Sequence, residues 1–421
     1  MRVQLEPAKA PSSLRDALQT AALTLLMIPG AAKAQSAPAT DHIDVTNLVY
    51  GEQSRTQVVE PIVRFTHLMA DGQSISAQVA IDVITGSSPT GALPSGSVQT
   101  RTSASGHVIT SPAGQIPLAP FHDTRLALEG EWKKPVSRYV ITTVGGHFSR
   151  EKDYQSLGVN GKISTDLMRR LVTVTVGGGV SHDSVFPVGG TPAGLSDGTI
   201  IHTGGNAKDV TNVLLGASRI LTRRWMVAVN GTQTYERGYL TEPYKVITIM
   251  GHVNGTPVGE LTDKRPDTRN RTSLLFSSVY HPGDDVAYTS YRYYRDTWGV
   301  RSHTIDLKYR HDLGDQSYIE PLLRYYQQTA ASFFTVGVLE GAPLPDFASS
   351  DYRLGRLKTI TVGGTYGFHP DFMAGELTIR GQYMRQSGDS SPPNAIGIQQ
   401  KFDLSPPVNV FALVLGYSFD Y

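Results

Sequence analysis

The sequence predicts an all-β protein: a transmembrane antiparallel up-and-down β-barrel of about sixteen strands, with long extracellular loops and short periplasmic turns. Apolar and polar residues alternate in segment after segment, which is the period of a strand with one apolar face. Short turns alternate with long connections along the chain, as in bacterial barrels. The third observation is the C-terminal stretch Val410–Tyr421, in which large side chains recur at every second position. These patterns place the large side chains on the outer face of a closed sheet.

The C-terminal stretch has one face of large residues and one face of smaller residues. The large residues, which also form a predicted assembly signal, are Phe411, Leu413, Leu415, Tyr417, Phe419 and Tyr421. In a soluble protein this row of large side chains would form an exposed, aggregation-prone sheet edge. In an outer-membrane barrel the closing strand turns such a row towards lipid. The pattern also resembles the signal that the barrel-assembly machinery recognises, so we expect this machinery and outer-membrane lipid as partners. The alternative is the last strand of a soluble β-sandwich.

Composition narrows the possible function classes. The 421 residues have a formal net charge of +1, so no whole-protein field points to nucleic acid. The absence of cysteine excludes disulfides, thiolate metal sites and covalent haem attachment. Tyrosine (20) exceeds phenylalanine (13) and tryptophan (3), which suits amphipathic rings at two membrane–water interfaces.

The N-terminus has the pattern of a secretory signal peptide. A basic region precedes the short apolar run Ala21–Ile28 and the small-x-small cleavage site Ala32-Lys33-Ala34. The basic residues are Arg2, Lys9 and Arg15. Because the apolar run is too short to cross a bilayer, a membrane-spanning form of this chain would have to be a barrel. The prediction is a signal peptide over residues 1–34 and a barrel over residues 35–421 in the bacterial cell outer membrane.

Each predicted strand is an alternating segment bounded by turn residues. In order, these segments are Ile43–Tyr50, Val58–Met69, Ile75–Val83, Arg125–Trp132, Arg138–Arg150, Tyr154–Leu167, Leu171–His182, Asp209–Ile220, Trp225–Arg237, Asn270–Tyr280, Val286–Thr297, Ser302–Asp312, Ser317–Gln328, Leu357–Phe368, Gly375–Gln386 and Val408–Tyr421. Tight turns such as Ala70–Gly72, Lys133–Pro135 and His281–Asp284 would face the periplasm.

Long connections would then be extracellular. They are predicted at residues 85–122, 183–208, 239–268, 331–352 and 387–407. Two of them contain strand-like runs, Val246–Met250 and Ile396–Phe402. Because bacterial barrels have even strand numbers, these runs leave the count at about 14, 16 or 18.

Charged residues at mid-strand positions indicate the face that lines the lumen, since Arg or Lys facing lipid would cost roughly 2–4 kcal/mol. The predicted lumen residues are Glu60, Arg64, Gln78, Asp82, Arg292, Tyr294, Asp296, Asp306, Lys308, Arg310, Glu320, Arg324, Glu376 and Arg380. Both signs alternate along neighbouring strands. One interpretation is a ladder of ion pairs that lines a watery interior, and the other is a solute path or a ligand site.

Patterns of soluble enzymes find little support in the chain. Gly177-Gly178-Gly179 is not followed by a predicted helix, as a phosphate-binding loop would require. Ser181, His182 and Asp183 are sequence neighbours without the nucleophile-elbow pattern, and neighbours cannot form a catalytic triad. His147 and His303 lie near predicted strand ends, where a solvated histidine is a simpler interpretation than a metal ligand. The sequence therefore assigns no catalytic residue, metal ligand or cofactor.

Several segments carry a recognisable pattern in order along the mature chain. They are Asp82–Pro89, Glu151–Ser156, Gly238–Lys245, Arg265–Arg269, Tyr291–Gly299, Ser302–Thr304, Arg324–Gln328 and Asp351–Leu354. Together they resemble a family of bacterial outer-membrane proteins catalogued as domain of unknown function 3570. Thr85 stands where this family would have serine, and the 91–122 loop departs from it. The resemblance implies no defined activity; it implies partners in redox work, namely a small lipoprotein, a periplasmic flavin transferase and a thioredoxin-like protein.

The matching segments fall at the predicted extracellular ends of strands and in the adjoining loops. We therefore expect a polar cluster at the extracellular mouth. Its members are Asp82, Glu151, Asp153, Tyr154, Glu242, Tyr244, Lys245, Arg292, Asp296, Trp298, His303 and Arg353. One interpretation is that buried ion pairs hold the loops over the barrel, and the other is a site for a ligand or metal.

Two functions remain open from the sequence. The first is a pore or a scaffold and binding barrel linked to an extracytoplasmic redox or flavoprotein system. The alternative is an outer-membrane enzyme with a site at the extracellular mouth, where His303 and Asp296 would be the residues to test.

Overall fold

The computed structural model describes residues 40–102 and 108–421, and the predicted signal peptide lies outside these residues. Sixteen strands form one closed barrel in which each strand pairs antiparallel with the next along the sheet. The barrel strands are β1 (Thr40–Glu52), β2 (Thr56–Leu68), β3 (Ser74–Pro89), β4 (Leu118–Pro135), β5 (Val140–Arg150), β6 (Tyr154–Leu167), β7 (Val172–Val185), β8 (Asn206–Thr222), β9 (Trp225–Gly238), β10 (Thr268–Tyr280), β11 (Val286–Asp296), β12 (Arg301–Asp312), β13 (Ser317–Gln328), β14 (Leu357–Phe368), β15 (Glu376–Gly388) and β16 (Val408–Asp420).

The connections alternate in length and therefore give the barrel two different ends. The turn end carries the short connections after even-numbered strands, from residues 69–73 to 369–375, together with Thr40 and Tyr421. The loop end carries the other connections, including the long ones at 90–117, 186–205, 239–267, 329–356 and 389–407. This arrangement confirms the predicted up-and-down barrel and its sixteen strands.

Additional short elements lie in the loops. The strands are Gln99–Thr102, Val108–Ser111, Thr191–Pro192, Ile200–His202, Val246–Met250, Pro257–Thr262 and Gly337–Leu339. The 3₁₀-helices are Met168–Arg170, Tyr352–Leu354 and Gly397–Lys401. No helix among the described residues is both long enough and apolar enough to cross a membrane.

The predicted closing strand closes the barrel. β16 pairs antiparallel with β1 from His42 opposite Asp420 to Glu52 opposite Val410. Phe411, Leu413 and Leu415 face outward and are exposed, whereas Val408 and Val410 face inward and are buried. The same alternation runs round the barrel, and Val63, Val79, Val159 and Leu323 belong to the same apolar outer belt. The outside of this sheet is thus apolar and its inside polar, as in a transmembrane barrel.

Two sequence predictions about local structure were wrong. The turn predicted at Lys133–Pro135 lies at 136–139, because β4 continues to pair with β5 as far as Pro135 opposite Ile141. The run Ile396–Phe402 is a 3₁₀-turn rather than a strand, since Gly397 takes a φ of +55° beside the carbonyl of Asn254, where a side chain would collide. The other strand-like run, Val246–Met250, is a strand as its pattern indicates, and it belongs to a small sheet in the loops rather than to the barrel.

The interior changes character along the barrel axis. Near the loop end, inward-facing residues such as Tyr50, Ile84 and Tyr326 are buried. At mid-height, the inward-facing Glu129, Asn160 and other polar residues are exposed, so the lumen there is wide enough for water. The fourteen predicted lumen residues all face inward, and several form ion pairs between strands, for example Lys308 with Glu320 at 3.4 Å and Arg324 with Asp306. The lumen is therefore polar and solvated below a filled loop end.

Candidate functional site

The loops fold over one end of the barrel and bond to each other. Val246–Met250 pairs antiparallel with Pro257–Thr262 and parallel with Gly337–Leu339, so two loops share one small sheet. The amide of Val246 donates to the carbonyl of Thr90 at 2.9 Å, which adds a third loop. The buried side chain of Gln399 donates to the carbonyls of Pro94 (3.1 Å) and Gly255 (2.9 Å), which adds a fourth. We call this assembly the loop cap.

A network of alternating charges holds the loop cap to itself. This loop network consists of Glu242, Lys245, Asp263, Arg265, Asp351 and Arg353. Arg353 donates to Asp351 through Nε (2.9 Å) and Nη2 (2.6 Å), and its Nη2 lies 3.3 Å from Glu242 Oε2. Arg265 bridges Asp263 (2.6 Å) and Asp351 (3.0 Å). Because three cations face three carboxylates away from water, each charge depends on its partners for compensation.

Burial and these partners set the pKa values in the loop network. Burial raises the pKa of Glu242 to about 7, against the charges of Arg353 and Arg265. Burial alone would raise the pKa of Asp351, but the charges of Arg353, Lys245 and Arg265 hold it well below its ordinary value. The Arg353–Asp351 pair is therefore the firm centre of the network, and Glu242 is its titratable edge.

Lys245 ties the loop cap to the barrel wall. Its side chain is only 1% exposed, and Nζ donates to the hydroxyl of Ser88 (3.1 Å) and to the carbonyl of Pro89 at the end of β3. Burial lowers the pKa of Lys245 to about 8, although the charge of Asp351 opposes this shift. A buried ammonium with carbonyl and hydroxyl acceptors is a structural anchor.

A second polar cluster lies where β4 and β5 meet the loop cap. Tyr244 donates to Asp153 at 2.7 Å and accepts from the amide of Val188 at 2.9 Å, so one phenol joins three connections. Burial raises the pKa of Glu151 to about 9, and a hydrogen bond to Asp123 together with that carboxylate's charge adds to the shift. One of these two carboxyl groups therefore carries a proton at neutral pH.

A third cluster lies at the tight connection between β11 and β12. Asp296 accepts from Arg269 Nε (2.9 Å) and Nη2 (2.6 Å), and from the hydroxyl of Tyr294 (2.8 Å). The guanidinium of Arg269 lies 4.2 Å from the ring centroid of Trp298, a cation–π contact. Trp298 is itself fixed, because its indole donates to the carbonyl of Thr268 at 2.9 Å. This cluster fills the wall side of the loop cap.

A cavity of about 210 Å³ lies between the loop network and the inward faces of the strands. Aromatic rings of Tyr50, Tyr294, Trp298 and Tyr352 line it together with charged groups. Three buried polar atoms on its lining have no hydrogen-bond partner among the described residues, namely Tyr239 Oη, Glu242 Oε1 and Arg271 Nε. Unpartnered buried polar atoms call for water or a ligand. At roughly 30 Å³ of liquid per water molecule, the cavity holds several waters or one small polar solute.

The structure brings most of the predicted mouth residues together, although not all. Glu242, Lys245 and Arg353 meet in the loop network, and Glu151, Asp153 and Tyr244 meet in the second cluster. Asp82 pairs with Arg125 on the neighbouring strand. Tyr154 donates to Asp183 at 2.6 Å.

Arg292 faces the lumen on β11, below Asp296 and Trp298. His303 lies apart from all of these residues. It faces outward from β12, where Nδ1 lies 2.7 Å from the hydroxyl of Tyr291. Because Asp296 faces inward, the two residues proposed for an enzyme site lie on opposite sides of the barrel wall. Among the described residues, no group of three or more His, Asp or Glu side chains is arranged to hold a metal ion.

Several participants were not among the predicted mouth residues. They include Asp263, Arg265, Asp351 and Arg269. Arg269 pairs with the predicted Asp296 and Asp351 with the predicted Arg353, while Arg265 bridges Asp263 and Asp351. Arg265, Arg269 and Asp351 lie in segments that carry the family resemblance, and that signal could have identified them. Asp123 and Asp183 lie in barrel strands, and only the register between strands shows what they face.

Comparisons with solved structures find matches of low identity over most of the chain. The ferric enterobactin receptor mutant Q482A from Pseudomonas aeruginosa, in complex with enterobactin, is 10% identical with a TM-score of 0.43; the match covers 91% of this chain and 61% of the receptor. The chain thus spans less than two thirds of that receptor's length. OccK3 (OpdO) from the same organism is 10% identical with a TM-score of 0.39, and the match covers 91% of this chain and 96% of OccK3.

OccK2 (OpdF) of Pseudomonas aeruginosa in complex with glucuronate is 9% identical with a TM-score of 0.40, covering 92% of this chain and all of that one (100%). No curated protein sequence matches the chain. A family model does match residues 15–419, nearly the whole length. The resemblance found in the sequence segments is confirmed, and the chain belongs to the family described as protein of unknown function (DUF3570).

Proposed function

We propose that the protein is an outer-membrane β-barrel that works as a binding or scaffold barrel entered from the periplasm, and not as an open diffusion pore. The apolar outer belt supports the membrane location, since its exposed valines and leucines would otherwise face water. With the turn end in the periplasm, as in bacterial barrels, the loop cap lies outside the cell.

The observation that carries this proposal is the contrast between the two ends of the lumen. At the loop end, Asp296 and Asp263 have no exposed side-chain surface, and Arg265 has 9%. At the turn end, the inward-facing Arg310 and Asp312 are 34% and 39% exposed. A solute would thus reach the lumen from the turn end and meet the loop cap, with the cavity below it as the place to bind.

The chemistry of the cavity suits a small polar molecule with a flat apolar part. Tyr239 Oη and Arg271 Nε can donate hydrogen bonds, and Glu242 Oε1 can accept one. The rings of Tyr294, Trp298 and Tyr352 provide faces for stacking. Binding of such a solute would satisfy groups that the protein leaves unpaired.

Conductance across planar bilayers tests the closed mouth. The purified native barrel is expected to give no discrete conductance steps, and Arg353→Ala is expected to give them because it opens the loop network. Steady open-channel conductance from the native protein would refute the proposal and favour the pore. A folded, heat-modifiable barrel must be confirmed in both samples before either trace is interpreted.

The finer proposal is a periplasmic redox connection. The family resemblance implies as partners a small lipoprotein, a periplasmic flavin transferase and a thioredoxin-like protein, and a turn end that faces the periplasm would be the surface available to them. Binding of each purified partner to the detergent-solubilised barrel can be measured directly. Absence of binding for all three would remove the redox connection and leave the binding barrel intact.

A further inference from the structure

Five cationic side chains form a band on the outside of the barrel near the loop end. This basic band consists of Arg237 on β9, Arg295 on β11, Arg301 on β12, Lys358 on β14 and Arg385 on β15. All five are exposed, and each lies within three residues of the loop end of its strand. Their sequence neighbours, such as Glu236, Ser302 and Thr359, face inward and are buried, which fixes the outward direction of the band.

Apart from Arg237, which lies in register with the outward-facing Asp209 of β8, no member of the basic band has a carboxylate opposite it in the barrel wall. None of its members forms an ion pair with a described residue. From β9 round to β15, the outward-facing positions of the barrel strands contain no aspartate or glutamate. The outer surface at the turn end differs, because Asp41 pairs there with His67 at 2.6 Å and Asp285 with His311 at 2.8 Å. The turn end also has exposed arginines without an ion pair among the described residues, such as Arg219 and Arg224, so unpaired charge alone does not distinguish the two rims.

Two members of the band face each other directly. Arg295 and Arg301 are register partners on β11 and β12, on the same outward face. Directly opposite residues of an antiparallel pair have Cβ atoms about 4.5–5.5 Å apart, and like charges there are destabilising. An anion between the two guanidinium groups removes this repulsion, and a phosphate can accept bidentate hydrogen bonds from each.

Aromatic residues locate the band relative to a bilayer. Tyr291, Tyr293 and His303 face outward just below Arg295 and Arg301, with ring centroids of Tyr293 and His303 5.3 Å apart. Outward aromatic residues mark the boundary of the hydrocarbon layer in barrels. The basic band lies beyond this boundary on the loop side, at the depth of lipid headgroups.

We propose that the basic band, centred on Arg295 and Arg301, binds the phosphate groups of an anionic glycolipid in the outer leaflet. This rests on the proposed membrane location and orientation. The loop rim would then hold a bound lipid whose phosphates replace the missing carboxylates, while its acyl chains lie against the apolar belt. Charge, depth and the facing arginine pair all select a phosphorylated lipid over a neutral one.

The test compares lipids that differ only in phosphate. Delipidated barrel in detergent is titrated with lipid A and with dephosphorylated lipid A, and bound lipid is counted by native mass spectrometry. The native protein is expected to bind the phosphorylated form about tenfold or more tightly, and Arg295→Gln/Arg301→Gln to lose this preference. Arg219→Gln, an exposed outward arginine at the turn end of β8, is the matched control and should retain it.

Heat-modifiability first confirms that each variant is a folded barrel. The double variant Arg295→Lys/Arg301→Lys keeps both positive charges and should keep most of the preference for the phosphorylated lipid. Equal binding of both lipids by the native protein would overturn the proposal, as would an unchanged preference in the Gln variant. Competition by inorganic phosphate at the concentration of the lipid would also overturn it, since a free anion would then suffice. Cell fractionation tests the proposed location separately. Recovery of the protein outside the outer-membrane fraction would contradict the location, whereas the lipid titrations test the basic band.

Discussion

Glu242 and Arg353 are 111 residues apart in the chain, yet their side chains meet at 3.3 Å inside the loop cap. One comes from the connection between β9 and β10, and the other from the connection between β13 and β14. Their contact fastens two loops that begin on different parts of the rim. Whether the loop cap closes this end of the barrel thus depends on a few long-range ion pairs rather than on the barrel wall.

Removing Arg353 should open the loop cap without unfolding the barrel. Arg353→Ala leaves Glu242 without its ion-pair partner and Asp351 with Arg265 as its one remaining ion-pair partner among the described residues, and breaking a buried pair typically costs about 3–5 kcal/mol. We expect faster proteolysis in residues 239–267 and 329–356, with the barrel still heat-modifiable. Arg356→Ala removes an exposed arginine of the same loop and serves as the control. Equal protease resistance of the two variants would contradict the role given to the loop network.

The protonated Glu151 predicts how stability depends on pH. Its pKa is raised from an ordinary 4.5 to about 9, so its stabilising contribution is complete below pH 4.5 and is lost as the pH rises towards 9. Glu151→Gln cannot lose a proton. Relative to the native protein, it should gain at least about 1.4 kcal/mol of unfolding free energy between pH 5 and pH 9, the equivalent of one pKa unit.

Urea unfolding in detergent at both pH values measures this difference. Glu340→Gln removes an exposed carboxylate from another loop and should shift neither value. A constant difference between Glu151→Gln and the native protein across the range would show that Glu151 is already ionised at pH 5.

Adjacent residues on β6 test which face meets lipid. Val159 is 59% exposed on the outer face, and Asn160 is exposed towards the lumen. Val159→Arg should cost about 2–4 kcal/mol of folding free energy in lipid vesicles, as measured for arginine at a bilayer midplane. Asn160→Arg should cost much less, because its charge enters water. The reverse order would mean that the two faces are assigned incorrectly.

The C-terminal ladder should be required for insertion. Deleting Phe419–Tyr421 removes the end of β16 that pairs with Ile43 and the amide hydrogen bond between Tyr421 and Asp41 at 2.8 Å. We expect the truncated chain to be missing from the outer-membrane fraction and to show no heat-modifiable band. Normal amounts of such a band would refute the assembly signal proposed from the sequence.

The barrel could be predicted from sequence because its information is local. Each strand such as Val410–Tyr421 shows its two faces in its own residues, and the turns between strands are short. Pro135 is an exception, because its local pattern indicates a turn although it pairs within β4; proline weakens a strand only where the sheet needs the N–H that proline lacks. The loop structure could not be predicted in this way. It depends on contacts between distant residues, such as Arg265 with Asp351, and no local sequence pattern indicates these contacts.

The candidate site was also predictable only in part. Its residue types were identified through the family resemblance, whereas their partners required the folded loops. His303 shows where the family resemblance misleads. It lies in a matching segment near the loop end of its strand, but its side chain faces outward beside Tyr291. Its strand parity was available in the sequence, since Ser302 and Thr304 would face inward with Asp306.

The pairing of β1 with β16 also has a consequence for folding. His42 and Asp420 are 378 residues apart, so the last seam joins the most distant parts of the described chain. Pairings of such high sequence separation form late and slowly, because the chain between them must first be ordered. Until then, two strand edges are unpaired and able to recruit strands from other molecules. We therefore expect the assembly of this chain to need a chaperone or template that covers those two edges until they pair.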